Sequence, residues 1–272
     1  MSVVQAIIIG LVQGATEFLP VSSSGHLVLV PWWLGWDDPG LTYDTVVHLG
    51  SLVALVFYFR RQIMQLLSGW WHSVRTRSLA TDQAHLSWLV IASAIPGALI
   101  GYFGESFFRR ILGSPRAVSL LLLGTGAVLL AGERVGRKTG SLREMHLGHA
   151  LVIGLVQGCA IAPGLSRSGA TIAAGLMLGL RRDEAARFSF LMSIPIIAGA
   201  AGVQVLKNAF AGLIMGQIPQ LVAGFLAALL AGYVAIRFLL DYVCRHSLRP
   251  FAYYCWAIGL AGLATSLLPR WT

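Results

Sequence analysis

Gln13–His26 reads QGATEFLPVSSSGH, and Pro163–Thr171 reads PGLSRSGAT. Each is a polar, proline- and glycine-containing interruption inside an otherwise apolar stretch, Val3–Trp36 for the first and Leu147–Leu180 for the second. Neither side of either interruption is long enough to cross roughly 30 Å of hydrocarbon. Non-helical backbone at membrane depth persists only where protein or a watery cavity surrounds it. Both stretches are therefore read as re-entrant hairpins: a short helix, a polar turn, and a second short helix.

The rest of the chain fits that setting. It has 272 residues, 56% hydrophobic and 11% charged, whereas soluble domains carry about 25% charged residues. Six stretches approach spanning length: Tyr43–Phe59, Leu86–Phe103, Arg116–Gly132, Phe188–Leu206, Pro219–Leu240 and Ala252–Leu268. The expected fold is an all-α polytopic membrane protein with about six transmembrane helices and two re-entrant helical hairpins. It forms a single membrane domain over residues 1–272, with no cleavable signal peptide. The net charge of +9 does not point to nucleic acid, because Lys and Arg sit between apolar runs, as topology-setting residues do. Cys159, Cys244 and Cys255 show no metal-ligand spacing and are read as small apolar filler.

An internal repeat organises the spans. Gly10–Gly14 (GLVQG) recurs letter for letter as Gly154–Gly158. A hairpin followed by three spans comes round twice, in residues 1–132 and 147–268. Three is odd, so the second copy is expected upside down, as an inverted repeat with its site near the midplane between the copies. GLVQG also matches the GxxxG pattern of close helix packing.

Charge orients the repeat. With Arg60–His85 in the cytoplasm, Arg60, Arg61, Arg75, Arg77, Arg134, Arg137, Lys138, Arg143, Arg181, Arg182, Arg187, Arg245 and Arg249 lie inside. Arg109, Arg110, Arg116, Lys207 and Arg270 lie outside, and Arg167 and Arg237 stay within the membrane. This satisfies the positive-inside rule. The first hairpin then dips from outside, the second rises from the cytoplasm, and their tips can meet.

Glu17, His26 and Arg167 are ionisable residues inside apolar hairpins, where charge is costly and by default functional. A plain Glu17–Arg167 staple would explain their charges, but not the hydroxyls and glycines around them. Pro20 stops the preceding helix. Ser22, Ser23 and Ser24 can cap the next one and expose its N-terminal amides to an anion, and Gly25 allows phosphate to approach the backbone. The second motif repeats the design with Gly164, Ser166, Ser168 and Thr171, while Arg167 supplies a planar fork for phosphate oxygens. Two helix N-termini, an arginine, hydroxyls and a carboxylate describe a phosphoryl site with a metal-binding carboxylate.

At these two motifs the chain resembles the undecaprenyl-diphosphate phosphatases, the bacitracin-resistance family of bacteria, and the resemblance runs its full length. It implies removal of the terminal phosphate of undecaprenyl diphosphate, which gives the carrier monophosphate used in cell-wall synthesis. It also implies a divalent cation, Mg2+ or Ca2+, and an active site open to the outer face of the plasma membrane. Glu17, Ser23, His26 and Arg167 match the family's functional positions. The family's (E/Q)xxxE element begins here with Gln13, so a second acidic metal ligand is missing. The roles expected are attack by Ser23 or by a water it positions, proton transfer by His26, metal binding by Glu17, and oxyanion stabilisation by Arg167 and the amides. The partners expected are the polyprenyl diphosphate lipid and the bilayer, with a homodimer left open.

Two other classes compete. Inverted repeats with broken helices are also a transporter or lipid-flippase architecture. A vanadium-haloperoxidase-like lipid phosphatase is suggested by Ser24-Gly25-His26, but its other motifs are absent. Among the remaining polar residues, Asp44 and His48 open the first span near the outer interface and are set aside from the site. Arg187 is expected to pair with Asp183 or Glu184, and Arg237 to snorkel or pair with Asp241.

Overall fold

A computed structural model describes residues 1–112, 114–209 and 217–268, and the side chains of all of these except 105–112 and 204–209. Among the described residues, ten α-helices follow in chain order: α1 (Val3–Phe18), α2 (Ser23–Leu34), α3 (Leu41–Thr76), α4 (Asp82–Leu112), α5 (Pro115–Val135), α6 (Leu147–Cys159), α7 (Arg167–Met177), α8 (Arg182–Ala209), α9 (Ile218–Val243) and α10 (Arg249–Thr265). Two short helices precede three longer ones, twice over. Among the described residues the only β-type pairing is an isolated bridge between Gly140 and Leu180.

Among the described residues, five stretches are long and apolar enough to cross a membrane: Leu41–Thr76, Asp82–Gly104, Pro115–Val135, Arg182–Val203 and Ile218–Val243. The sixth expected span is α10, whose 17 residues stand at the short limit for crossing. The chain is thus an all-α polytopic membrane protein. The first span runs further than its apolar run suggested. The segment Arg60–His85, which follows the end of that apolar run, is helical through Thr76, and α4 starts at Asp82. Its Arg, Gln, Met and Leu residues favour helix even where they are polar, and Arg77 ends it in the left-handed conformation (φ 52°).

The two short leading helices each lie against a long helix of the other half. α1 lies along α9, where a Cβ on Gly10 or Gly14 would run into the carbonyl oxygen of Gly224 or Ala228. α6 lies along α4, with Gly154 against the Ser93 backbone. Both copies of GLVQG are therefore close-packing surfaces. Their starts lie at opposite ends of the bundle. Met1 O accepts a bond from Gln220 beside the start of α9 (3.5 Å). α6 follows Arg143, which pairs with Asp82 at the start of α4 (2.9 Å).

The end that holds Asp82 and Arg143 is pinned by one carboxylate. Glu133, at the end of α5, accepts two bonds from Arg182 (2.8 and 2.7 Å) and one from the Leu248 amide (2.8 Å). Lys138 lies 3.0 Å from its Oε2, so α5, α8 and α10 are tied together. Two clefts, of about 320 and 280 Å³, open at this end and share Gln62 and Arg187. Asp183 and Glu184 are paired by Arg181 (2.9 and 3.3 Å), not by the expected Arg187. At the opposite end Arg116 bonds the Ser266 carbonyl (2.8 Å). The side chains of Arg109, Arg110 and Lys207, and all of Arg270, lie outside the described residues.

Candidate functional site

The two interruptions fold into matching caps. Ser22 caps α2 by accepting from the Gly25 amide (3.3 Å), and Ser166 caps α7 by accepting from the Gly169 amide (3.0 Å). Each cap hydroxyl also meets the serine two residues on, Ser24 (3.4 Å) or Ser168 (3.2 Å). Helix geometry leaves the first amides of α2 and α7, those of Ser23, Ser24, Arg167 and Ser168, without intrahelical acceptors.

The tips touch in matching pairs. A Cβ on Gly25 would lie 3.4 Å from Gly164 Cα, and one on Gly169 would lie 3.4 Å from Pro20 Cβ. Gly164 has φ +97° and faces the Val118 carbonyl so closely that a side chain has no room. Thr125 of α5 holds this tip by donating to the Gly164 carbonyl (2.9 Å) and accepting from the Ser166 amide (2.9 Å). Ser22 itself takes φ 70°, ψ 94°, a backbone conformation costly for a residue with a side chain.

Glu17 is the centre of the site. Its Oε2 accepts from Ser23 Oγ (2.5 Å) and Gln13 Nε2 (3.0 Å), and its Oε1 accepts from Arg167 Nη2 (2.5 Å). His48 Nε2 stands 3.8 Å from Oε2, which brings into the site a residue that the sequence reading set aside. Gln13, Glu17, Ser23 and Arg167 thus form one contiguous cluster. Arg167 commits one amino group to Glu17; its Nε and Nη1 make no hydrogen bond within the described protein.

The remaining expected residues fall around this cluster. His26 is buried, with Nδ1 2.8 Å from the Ser22 carbonyl and Nε2 2.9 Å from Tyr254 Oη. Tyr254 was not anticipated. Ser168 donates to the Leu19 carbonyl (3.1 Å) and so ties one tip to the other. The Thr171 hydroxyl bonds the Arg167 carbonyl (2.8 Å) and Ser189 Oγ (2.6 Å), which braces α7 on α8. Cys255 is buried, with its thiol 3.6 Å from the Pro20 carbonyl, whereas Cys159 and Cys244 are exposed; all three are free.

For a cation the protein offers little by itself. Among the described residues no group of three or more His, Cys, Asp or Glu could hold a metal ion. Gln13 Oε1, however, is a buried oxygen with no hydrogen-bond partner, next to the Glu17 carboxylate. One neutral oxygen and one carboxylate suit a hard cation that takes its other ligands from phosphate and water.

The family model described as bacitracin resistance protein BacA matches residues 6–261. Proteins named undecaprenyl-diphosphatase align over nearly the whole chain. That of Rubrobacter xylanophilus is 47% identical over 271 residues, covering 98% of this chain and 99% of its own. That of Pelobacter propionicus is 46% identical over 255 residues, covering 93% of each. That of Moorella thermoacetica is 44% identical over 254 residues, covering 93% of this chain and 94% of its own. With its two serine-capped tips meeting at Glu17 and Arg167, and this match over most of its length, the chain belongs to the bacitracin resistance protein BacA family.

Proposed function

We propose that the two hairpin tips are the catalytic centre of an undecaprenyl-diphosphatase, which releases inorganic phosphate from undecaprenyl diphosphate and leaves undecaprenyl phosphate. The observation that carries this reading is the Ser23–Glu17–Arg167 cluster at the meeting of two capped helix N-termini. A diphosphate headgroup finds uncommitted amides on two helices and the uncommitted Nε and Nη1 N–H groups of Arg167. Arg167 then turns from Glu17 to the phosphoryl oxygens, and Glu17 takes the Ser23 proton. Ser23 Oγ forms a bond to the terminal phosphorus as the bond to the bridging oxygen breaks, and the lipid monophosphate departs. Water next attacks the phosphoserine, Glu17 returns its proton to Ser23 Oγ as the bond from that oxygen to phosphorus breaks, and the proton of the attacking water passes to His26 as Tyr254 releases Nε2. Gln13 Oε1 and Glu17 would hold Mg2+ or Ca2+, which when bound supplies positive charge against the diphosphate.

The site opens to the outer face of the plasma membrane, in an inverted repeat of residues 1–132 and 147–268. Two features support this reading: α1 and α6 start at opposite ends of the bundle, and the Arg-rich ends of α3, α5 and α9 gather at one of them. In a variant without native cysteines, Asp38→Cys should react with an impermeant thiol reagent on intact cells and Ser78→Cys should not. The reverse pattern would invert the orientation.

Phosphate release from a polyprenyl diphosphate by the purified protein, with and without chelator, tests the activity. Movement of the lipid across vesicles without phosphate release would instead make the chain a transporter.

A further inference from the structure

His48 presents one ring nitrogen to Glu17. Its Nδ1 lies 2.7 Å from the Asp44 carbonyl, one turn earlier on α3. A carbonyl can only accept, so Nδ1 carries the hydrogen, and in the neutral ring Nε2 keeps its lone pair. That nitrogen faces Glu17 Oε2 at 3.8 Å, and the His48 side chain is 33% exposed, so an ion can reach it. The gap is too wide for a hydrogen bond. It is close to the spacing of two ligands on one cation: atoms about 2.1 Å from a metal stand roughly 3.4 Å apart at the tetrahedral angle. Histidines that bind metals commonly donate their other N–H to a backbone carbonyl, as this ring does to Asp44. Gln13 completes the set. Its amide nitrogen bonds Glu17 Oε2 (3.0 Å), while its Oε1 is buried without a partner. Turning the amide over puts that oxygen beside Oε2 in place of the N–H. Oxygens of Gln13 and Glu17 and the nitrogen of His48 then converge, while Arg167 stays on the other carboxylate oxygen.

We propose that His48 is a ligand of the cation at the hairpin tips, and that its nitrogen makes the site prefer a borderline divalent ion of the Zn2+ type over Mg2+ or Ca2+. This rests on the reading that the tips hold a cation. Mg2+ and Ca2+ are hard ions that take oxygen ligands and gain little from imidazole. Zn2+ binds imidazole and carboxylate alike, and three protein ligands leave it an open position for a phosphoryl oxygen. His48 therefore supplies, from α3, the third ligand that Gln13 and Glu17 on α1 lack. A plain ion pair between His48 and Glu17 is the competing explanation. It accounts for the 3.8 Å approach but not for the partnerless Gln13 oxygen beside it.

The test uses untagged protein carrying His146→Gln and His149→Gln, because those two stacked rings (centroids 3.6 Å apart) could hold Zn2+ on their own. Calorimetric titration without lipid should show Zn2+ binding at least about tenfold more tightly than Mg2+. His48→Gln offers an oxygen in place of the nitrogen. It should lower Zn2+ affinity by about tenfold or more without lowering that for Mg2+. Zinc X-ray absorption of the protein that keeps His48 reads the coordination shell directly and needs no His48 variant to fold. One imidazole ring among oxygen neighbours is the expected result. An all-oxygen shell, or equal Zn2+ affinity with and without His48, would overturn the proposal and leave His48 as a counter-ion of Glu17. If the wild-type protein released no phosphate, the catalytic reading would fall instead. The coordination shell would still report on His48, so the two failures are distinguishable.

Discussion

Ser23 Oγ and Glu17 Oε2 are 2.5 Å apart although they belong to different helices, α2 and α1. The turn at Leu19–Ser22 brings the first residue of one helix back over the last turn of the other. The hydroxyl donates to a carboxylate that Arg167 grips on its other oxygen. A serine already hydrogen-bonded to a base, with uncommitted amides beside it, is arranged as an activated nucleophile. Ser23→Ala should therefore reduce turnover by about a hundredfold or more, a scale typical of lost acid–base and nucleophile chemistry. A loss of tenfold or less, about 1.4 kcal/mol in barrier terms, would move the attack to Ser22, Ser24 or a bound water.

Arg167 offers a different test, because its charge and its shape have separate uses. Neutralising Glu17 needs only a cation within reach. Holding several phosphoryl oxygens at once needs a planar guanidinium with N–H groups at fixed angles, which lysine lacks. Arg167→Lys should fold and keep a cation beside Glu17, yet lose most of its activity. Near-normal phosphate release from the Lys variant would reduce Arg167 to a structural counter-ion.

The Glu133 junction should matter to stability and not to chemistry. Its side chain is 1% exposed, and it receives Arg182, Lys138 and the Leu248 amide far from the tips. Removing one partner of a buried ion pair strands the other charges, at a cost of about 3–5 kcal/mol. Glu133→Gln should lower the melting temperature in detergent, while the folded fraction releases phosphate at nearly the wild-type rate. Unchanged melting with lost activity would mean that this end of the bundle communicates with the site.

What was legible in the sequence follows from what each residue costs in its surroundings. Glu17 and Arg167 stand out because charge inside apolar helices is expensive, and the capping serines because they follow helix-breaking turns. The two GLVQG segments reveal their packing because close helix approach needs small residues at fixed spacing. Tyr254 carries no such signal: a tyrosine in an apolar helix reads as an interfacial residue, and its partner His26 lies 228 positions away. Thr125 is hidden for the same reason, since threonines in membrane helices often bond their own backbone. His48 was set aside because its place two turns inside α3 depends on how that helix meets α1, which periodicity does not encode. The helical stretch from Arg60 to Thr76 was not legible because charge ended the apolar run at Phe59, yet charged residues continue a helix readily once it leaves the membrane.

The pair Gln13 and Glu17 sets the last prediction. They lie one helical turn apart on α1, and the Gln13 amide donates to Glu17 Oε2 at 3.0 Å. That bond leaves Gln13 Oε1 as a buried oxygen without a partner. With one carboxylate, already bonded by Ser23 and Arg167, the free protein is a poor site for a hard cation that prefers six or more oxygens. On the proposed mechanism, a bound diphosphate would change this by drawing Arg167 away and contributing oxygens of its own. Mg2+ or Ca2+ should therefore bind weakly to the free protein and much more tightly with a non-hydrolysable diphosphate lipid present. Gln13→Glu places a second carboxylate one turn from the first and should strengthen binding without the lipid. Glu17→Gln removes the only carboxylate of the cluster and should abolish lipid-dependent cation binding along with nearly all turnover. Calorimetric titration of the cation into the three proteins, with and without the lipid, reads all of these. Tight binding that ignores the lipid and survives Glu17→Gln would place the cation elsewhere in the molecule, and full turnover in chelator would remove it from the reaction.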